Sequence, residues 1–323
     1  MWNRRARQDD TEPSKPKLPG VIDTIGLGFE RLVARPYVIV VPVLVDLFLW
    51  LGLKVTAGPL TARLARWLGD AGGSEDVIAD QRSYNVLEFI SLQLPTVRLP
   101  TLMPLLADPA SLDLDGVGSD LVLSWWQVAA VALAALLISY LIGAMYLRWL
   151  AEATSGHNFA VNLSLDVRAA LRLLGWAFQC ALIFALVAFP LIATSVALAA
   201  VGAGISGLIF ALAMLPIAWG FIFFFFAALA IVVDGISAID SFRRSYRVVR
   251  GYFWQSLGFI VAFMLVTGGF PFFWRLLLNA PAGVAIAIMG NAFVASGMLA
   301  AAMLFYRDRA SELQLAESSQ GRS

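Results

Sequence analysis

The sequence predicts an all-α, polytopic membrane bundle of six transmembrane helices, with interfacial elbow helices on the cytoplasmic side before spans one, three and five. Three observations carry this reading. Apolar residues make up 60% of the chain and charged residues 14%, against roughly 25% charge in a soluble domain, so most of the surface cannot face water. The apolar residues gather in six runs, each near the ~20 residues that cross ~30 Å of hydrocarbon. Arginine collects on alternate links between those runs, as the positive-inside rule requires.

The runs are 37–55, 121–147, 173–200, 205–233, 253–278 and 283–306. The first follows Pro36 and is the shortest. Runs three, four and five contain Pro190, Pro216 and Pro271, where a missing N–H predicts a kink that a neighbouring helix must compensate. The sixth repeats Gly283, Ala287, Asn291 and Ala295 every fourth residue, a small-residue seam that lets helix backbones approach. About 36 mostly polar residues precede the first run, too many for the charged start of a cleaved signal. Residues 1–19 and 308–323 are expected to be disordered cytoplasmic tails, leaving 20–307 as the membrane domain.

Orientation follows from the links. Arg4, Arg5, Arg7, Lys15, Lys17, Arg31 and Arg35 precede the first run, and Arg148, Arg168 and Arg172 separate the second from the third. Arg243, Arg244, Arg247 and Arg250 separate the fourth from the fifth, and Arg307, Arg309 and Arg322 follow the sixth. The opposite links are poor in cations, so both termini are placed in the cytoplasm. The outer link 56–120 carries an acidic excess, expected to be solvated, and two stretches apolar enough to lie on the membrane.

Each elbow is read from an amphipathic stretch ahead of an outward span. "IDTIGLGFERLVARPY" and "IDSFRRSYRVVRGYF" both begin Ile-Asp-Thr/Ser and place an aromatic six residues after the aspartate, Asp23 to Phe29 and Asp240 to Tyr246. The middle copy, "LSLDVRAALRLLGW", matches loosely. In the last copy Phe242, Tyr246 and Val249 share one helical face and Arg243, Arg247 and Arg250 another. Ser237 caps it, three residues before Asp240. Arg243, Arg244, Arg247 and Arg250 are candidate contacts for anionic lipid headgroups; the alternative is a topology anchor.

Candidate chemistry is sparse. Asp46 falls nine residues into the first run, about 13 Å deep at 1.5 Å per residue, where a carboxylate is costly and marks a functional candidate. Asn291 and Gln179 sit at moderate depth, giving a candidate intramembrane polar cluster of Asp46, Gln179 and Asn291, or plain interhelical glue. One cysteine, Cys180, and one histidine, His157, exclude a disulfide framework and a thiolate metal cluster. A net charge of +1 argues against nucleic acid. "GAGISG" at 202–207 satisfies the GxGxxG expression but lies in an outer turn between spans, with no strand before it. "NLS" at 162–164 is a glycosylation sequon only outside the cytoplasm. No catalytic residue, metal site or cofactor is expected.

The stretches "VVDGISAIDSFRRSYRVVRGYFWQSLGF" and "GLGFERLVARPYVIVVPVLVDLFLWLGL" resemble a group of bacterial integral membrane proteins. That group includes the membrane domain attached to some glycerophosphodiester phosphodiesterases. The resemblance covers most of 20–307 in layout and implies the membrane part alone. The phosphodiesterase chemistry of that group needs histidines and acidic metal ligands in a separate soluble domain, and this sequence has one histidine. The role left is a non-enzymatic accessory or structural component of the bacterial cytoplasmic membrane. The alternative is a transporter or channel for a small or lipid substrate around Asp46; an intramembrane enzyme ranks below both.

Overall fold

The computed structural model describes residues 18–52, 54–56, 87, 90, 98–102, 120–122, 124–156, 162–198, 203–278 and 280–320. Residues 1–17 of the expected tail 1–19, most of the outer link and His157 lie outside them. Among the described residues the chain is mainly helical, with a parallel two-stranded ladder, β1 (Lys54–Thr56) with β2 (Asp120–Val122), that brackets the outer link.

Helix α1 (Val21–Ala34) starts where the Gly20 N–H donates to Asp23 Oδ2 at 3.1 Å and Thr24 Oγ1 donates to the Gly20 carbonyl at 2.8 Å. It stops because Arg35 precedes Pro36 and is pushed out of helical geometry, to φ −141° and ψ 65°. A 3₁₀ turn (Pro36–Ile39) then leads into α2 (Val40–Leu51), and the two arms meet at 91°. The Arg35 guanidinium fixes this corner by donating to the Glu152 and Gly156 carbonyls at 3.2 and 3.0 Å. Those carbonyls close α3 (Trp125–Ser155), where a cation is favoured by the helix dipole.

Helix α4 (Leu163–Ile183) begins at Asn162, whose side-chain oxygen accepts from the Leu165 N–H and the Ser164 hydroxyl. The sequon is therefore a helix cap. A π turn (Phe184–Ala188) leads into α5 (Phe189–Leu198), absorbing the N–H that Pro190 lacks. Helices α6 (Ala203–Phe224) and α7 (Ala227–Asp234) follow, broken at Phe225–Phe226. The break has a specific partner: Ser245 Oγ donates to the Phe223 carbonyl at 2.8 Å and accepts from the Phe226 N–H at 3.2 Å. Ser245 belongs to α8 (Ala238–Gly251), which precedes α9 (Phe253–Arg275) and α10 (Pro281–Gln320).

The Ile-Asp-Thr/Ser repeat is structural. In α8, as in α1, an aspartate at the third helical position takes part in the cap, the next residue (Ser241, like Thr24) is fully buried, and the helix ends at a residue outside helical geometry, Tyr252 at φ −128° and ψ 44°. The middle copy differs. Residues 163–176 are continuous with the helix that follows, so no separate elbow precedes the third apolar run. No proline interrupts "LSLDVRAALRLLGW" to force a corner there.

Five helices are long and apolar enough to cross a membrane, or six if the bent α1–α2 pair counts as one. Exposed Leu, Phe, Ile and Trp side chains cover the outer surfaces of α4, α6 and α9, from Phe178 to Trp254 and Phe272. So large an apolar surface is a liability in water and ordinary against lipid. The core lies at the arginine-rich end, where Ala227–Ile231 is buried and Phe226 and Phe259 stack on Phe305 at 5.5 and 4.7 Å between centroids.

The last helix corrects the expected C-terminal tail. Instead of ending at 306, α10 runs 40 residues to Gln320, about 60 Å at 1.5 Å per residue. Its extension packs: Arg309 and Ala310 are buried, and Leu313 lies against the core cluster. Along its whole upstream half runs the small-residue seam. Gly28 meets Ala301 there so closely that a Cβ would stand 2.6 Å away, and Gly297 is similarly covered by the Phe29 ring.

Candidate functional site

Asp46 comes from the buried face of α2, with Val45 and Leu49 on either side, and it is completely shielded from solvent. Among the described residues its hydrogen-bond partner is a backbone N–H of the outer link. Residues Leu99–Leu102 of the outer link enter the bundle, all of them buried, and the Leu102 N–H donates to Asp46 Oδ2 at 2.7 Å. On the far side of the same segment, Asn291 Nδ2 of α10 donates to the Pro100 carbonyl at 3.4 Å. A carboxylate and an amide thus hold one irregular stretch of backbone, whose polar groups must be satisfied once taken from water.

This arrangement brings together two of the three residues of the expected polar cluster. Gln179 does not join it: on α4 the buried residues end at Trp176, and Gln179 makes no hydrogen bond among the described residues. Ala177 and Cys180 beyond Trp176 still pack against the core, and Gln179 beside them is half-buried.

Beside the inserted segment lies a cavity of about 260 Å³. Its walls are Phe221 of α6, Phe263, Met264 and Gly268 of α9, and Ala295 and Leu299 of α10. Arg98, Thr101, Thr267 and Asn291 supply the polar atoms.

The arginine-rich end holds a second polar assembly. Asp234 terminates α7 and accepts from the Tyr306 hydroxyl, and Arg244 Nε stands 3.5 Å from the same carboxylate oxygen. The Gln314 amide, turned with its oxygen toward Arg244, accepts from Nη1 at 2.9 Å. Arg243 pairs with Asp240 at 3.6 Å and Arg247 with Glu317 at 3.1 Å. Asp234, Asp240, Gln314 and three of these arginines line an open recess of about 550 Å³. Of the four candidate headgroup arginines, Arg243, Arg244 and Arg247 line it, while Arg250 is exposed and has no ion pair among the described residues. Three of the four therefore already face a carboxylate, which lowers the net positive charge available to a phosphate.

Nearby, Arg309 is fully buried, donates through Nη2 to the Pro19 carbonyl at 2.8 Å, and lies over the Phe305 ring at 3.7 Å. Tyr252 donates to Glu312 Oε2 at 2.6 Å; burial first and the neighbouring carboxylate second push its pKa up to about 12. Arg148 bridges Asp166 and Glu152 at 2.5 and 2.7 Å, tying α3 to α4. Among the described residues no three histidine, cysteine or acidic side chains converge as a metal site. In the GxGxxG stretch, Gly204 and Gly207 fall inside the first turns of α6 rather than in a phosphate-binding loop.

The family model described as "Domain of unknown function (DUF7847)" matches residues 128–307, more than half of the chain. The chain belongs to the DUF7847 family. No curated protein and no solved structure matches it. The DUF7847 match runs from the first turn of α3 into α10, so it takes in Asn291, Asp234 and the α8 arginines. Asp46 and the inserted segment fall before it.

Sequence reasoning missed the inserted Leu99–Leu102 segment and the Asp234–Tyr306–Arg244 group. The first has no periodicity to betray it. The second had a signal, because Asp234 ends an apolar run just before Gly235, a left-handed helix stop at φ +63°.

Proposed function

We propose that this DUF7847 protein is a non-enzymatic, six-span accessory or structural component of the bacterial cytoplasmic membrane, with both termini in the cytoplasm. The α1–α2 corner serves as elbow and first span, and α8 as the elbow of the fifth. Exposed Arg243, Arg247 and Arg250 face anionic headgroups. The resemblance to phosphodiesterase-linked membrane domains concerns this membrane part alone.

One observation carries the choice of an accessory role over transport: the Asp46 carboxylate is occupied by the Leu102 N–H at 2.7 Å inside a fully buried contact. A transport site at that depth needs a polar group free to exchange its partner with a solute or water. Here one carboxylate oxygen is held by the protein's own backbone.

Thiol accessibility tests this. In a Cys180→Ser background, Val45→Cys and Asp46→Cys are exposed to a membrane-impermeant reagent in intact and inverted vesicles. The accessory reading expects no labelling at either position from either side. Labelling of Val45→Cys, which leaves the Asp46 contact intact, would establish a water path to the bundle centre and replace the accessory role with transport. Single cysteines in 1–17 and 321–323, labelled only in inverted vesicles, check the orientation.

A further inference from the structure

We propose that the cavity beside the inserted segment is a binding site for a single alkyl chain carrying an anionic head, with Arg98 pairing the head at the mouth. The inference stands on the cavity's own walls and is independent of which end of the bundle faces the cytoplasm.

The cavity's chemistry selects the ligand. Its volume of about 260 Å³ would hold several waters, each needing two to four polar partners. Besides Arg98 and Thr101, both on the inserted stretch, the walls offer few. Thr267 Oγ1 already donates to the Phe263 carbonyl at 2.7 Å, and Asn291 already donates to the Pro100 carbonyl. The remaining lining from Phe221, Phe263, Met264, Ala295 and Leu299 is apolar. The space extends two turns along α10, from Asn291 to Leu299, about 12 Å at 1.5 Å per residue. A narrow apolar slot of that length, flanked by lipid-facing helices, suits an extended hydrocarbon chain.

The head is selected by Arg98. It is exposed, belongs to the cavity lining, and makes no ion pair among the described residues. That distinguishes it from Arg148, Arg243, Arg244 and Arg247, each of which faces a carboxylate. A guanidinium at the rim of an apolar slot matches a carboxylate or phosphate bidentately. Because Arg98 and Leu102 bound one short segment, a ligand at Arg98 would also rest on the backbone that Asp46 and Asn291 hold.

The test uses the purified full chain in nanodiscs of neutral lipid, with a diazirine-bearing hexadecanoate as photoprobe and the labelled peptide mapped by mass spectrometry. Labelling is expected in 263–268 or 295–299. Competing fatty acids shortened within the cavity's reach should weaken about fourfold per methylene, the ratio set by ~0.8 kcal/mol per buried methylene, and lengthening beyond it should change nothing. Gly268→Leu fills the slot without a clash, since a Cβ there meets nothing within 4 Å, and should cut labelling at least tenfold. Ala295→Leu fills it from α10 and should do the same.

Arg98→Gln should weaken hexadecanoate five- to tenfold and leave hexadecanol unaffected. Competition by fatty acid but not phosphatidylglycerol identifies a free acid as the ligand; the reverse identifies a phospholipid tail. Labelling outside the cavity peptides, or labelling unchanged in both filling variants while their melting points match the parent, overturns the proposal. Failure here would leave the accessory reading untouched, because that reading is decided by thiol labelling at α2.

Discussion

Gly28→Ala is the substitution whose cost the structure defines best. Gly28 lies on the face of α1 that also buries Thr24 and Leu32. An added Cβ would sit 2.6 Å from both the Cβ and the backbone nitrogen of Ala301. Ordinary carbon contacts begin near 3.5 Å, so α1 and α10 would have to separate by roughly 1 Å at the crossing. A gap of that size forfeits a quarter to a half of each dispersion contact it opens, and overpacking of this kind costs about 1–3 kcal/mol.

Gly26 is the internal control. It lies two residues earlier on the same helix, is exposed, and has open space where a Cβ would go. Gly26→Ala should therefore be neutral or stabilising by up to ~1 kcal/mol through helix propensity alone. Both substitutions gain that propensity, so their difference isolates the clash. Thermal unfolding in mild detergent, followed by tryptophan fluorescence, should place Gly28→Ala below Gly26→Ala by the equivalent of about 1–3 kcal/mol. Equal midpoints would refute the close α1–α10 crossing.

Four further outcomes follow from the same contacts. Asp46→Ala orphans the buried Leu102 N–H and should cost about 1–3 kcal/mol, whereas Asp46→Asn keeps an acceptor and should retain most of the stability in the same melt. Ser245→Ala removes the hydroxyl that serves both sides of the α6–α7 break; a loss of about 1–3 kcal/mol is expected, and a silent substitution would mean the break needs no partner. Deleting 309–323 should lower the melting point, because Arg309, Ala310 and Leu313 pack in the core; an unchanged midpoint would restore the disordered tail.

The last outcome concerns pH. Tyr252 has its pKa raised from 10.0 to about 12, so its contribution is complete below about pH 10 and is lost as pH rises through about 12. The melting difference between the parent and Tyr252→Phe should therefore be constant from pH 7 to 9 and shrink toward pH 12. A difference that grows with pH would reverse the sign of this argument.

What could be read in advance follows physical lines. Composition and apolar run length locate α6, α7 and α9 within a few residues, and the start of α3 but not its end at Ser155, because a helix surrounded by lipid needs no pattern beyond apolarity. The capped start of α8 was also legible, since Ser237 and Asp240 act within one turn. The extension of α10 was not, because "DRASELQLAESSQ" reads as polar by composition although Arg309 and Leu313 are held by distant partners. Asp46 was legible as a costly carboxylate, but a backbone N–H 56 residues away leaves no trace in side-chain identity. The arginine spacing on α8 was plain; the opposing Asp234, Gln314 and Glu317 come from other helices and could not be.

The meeting of α1 with α10 also constrains how the protein is made. About 270 residues separate Gly28 from the Ala301 it rests on, and Arg309 reaches back 290 residues to the Pro19 carbonyl. At about 5–20 residues per second, α1 waits roughly 15–55 s after its own synthesis for the surface that covers Thr24, Gly28 and Leu32. Throughout that interval the growing chain carries an incomplete inner face. The seam closes only when α10 has left the ribosome, so a chain stopped short of Ala301 lacks the surface on which α1 rests.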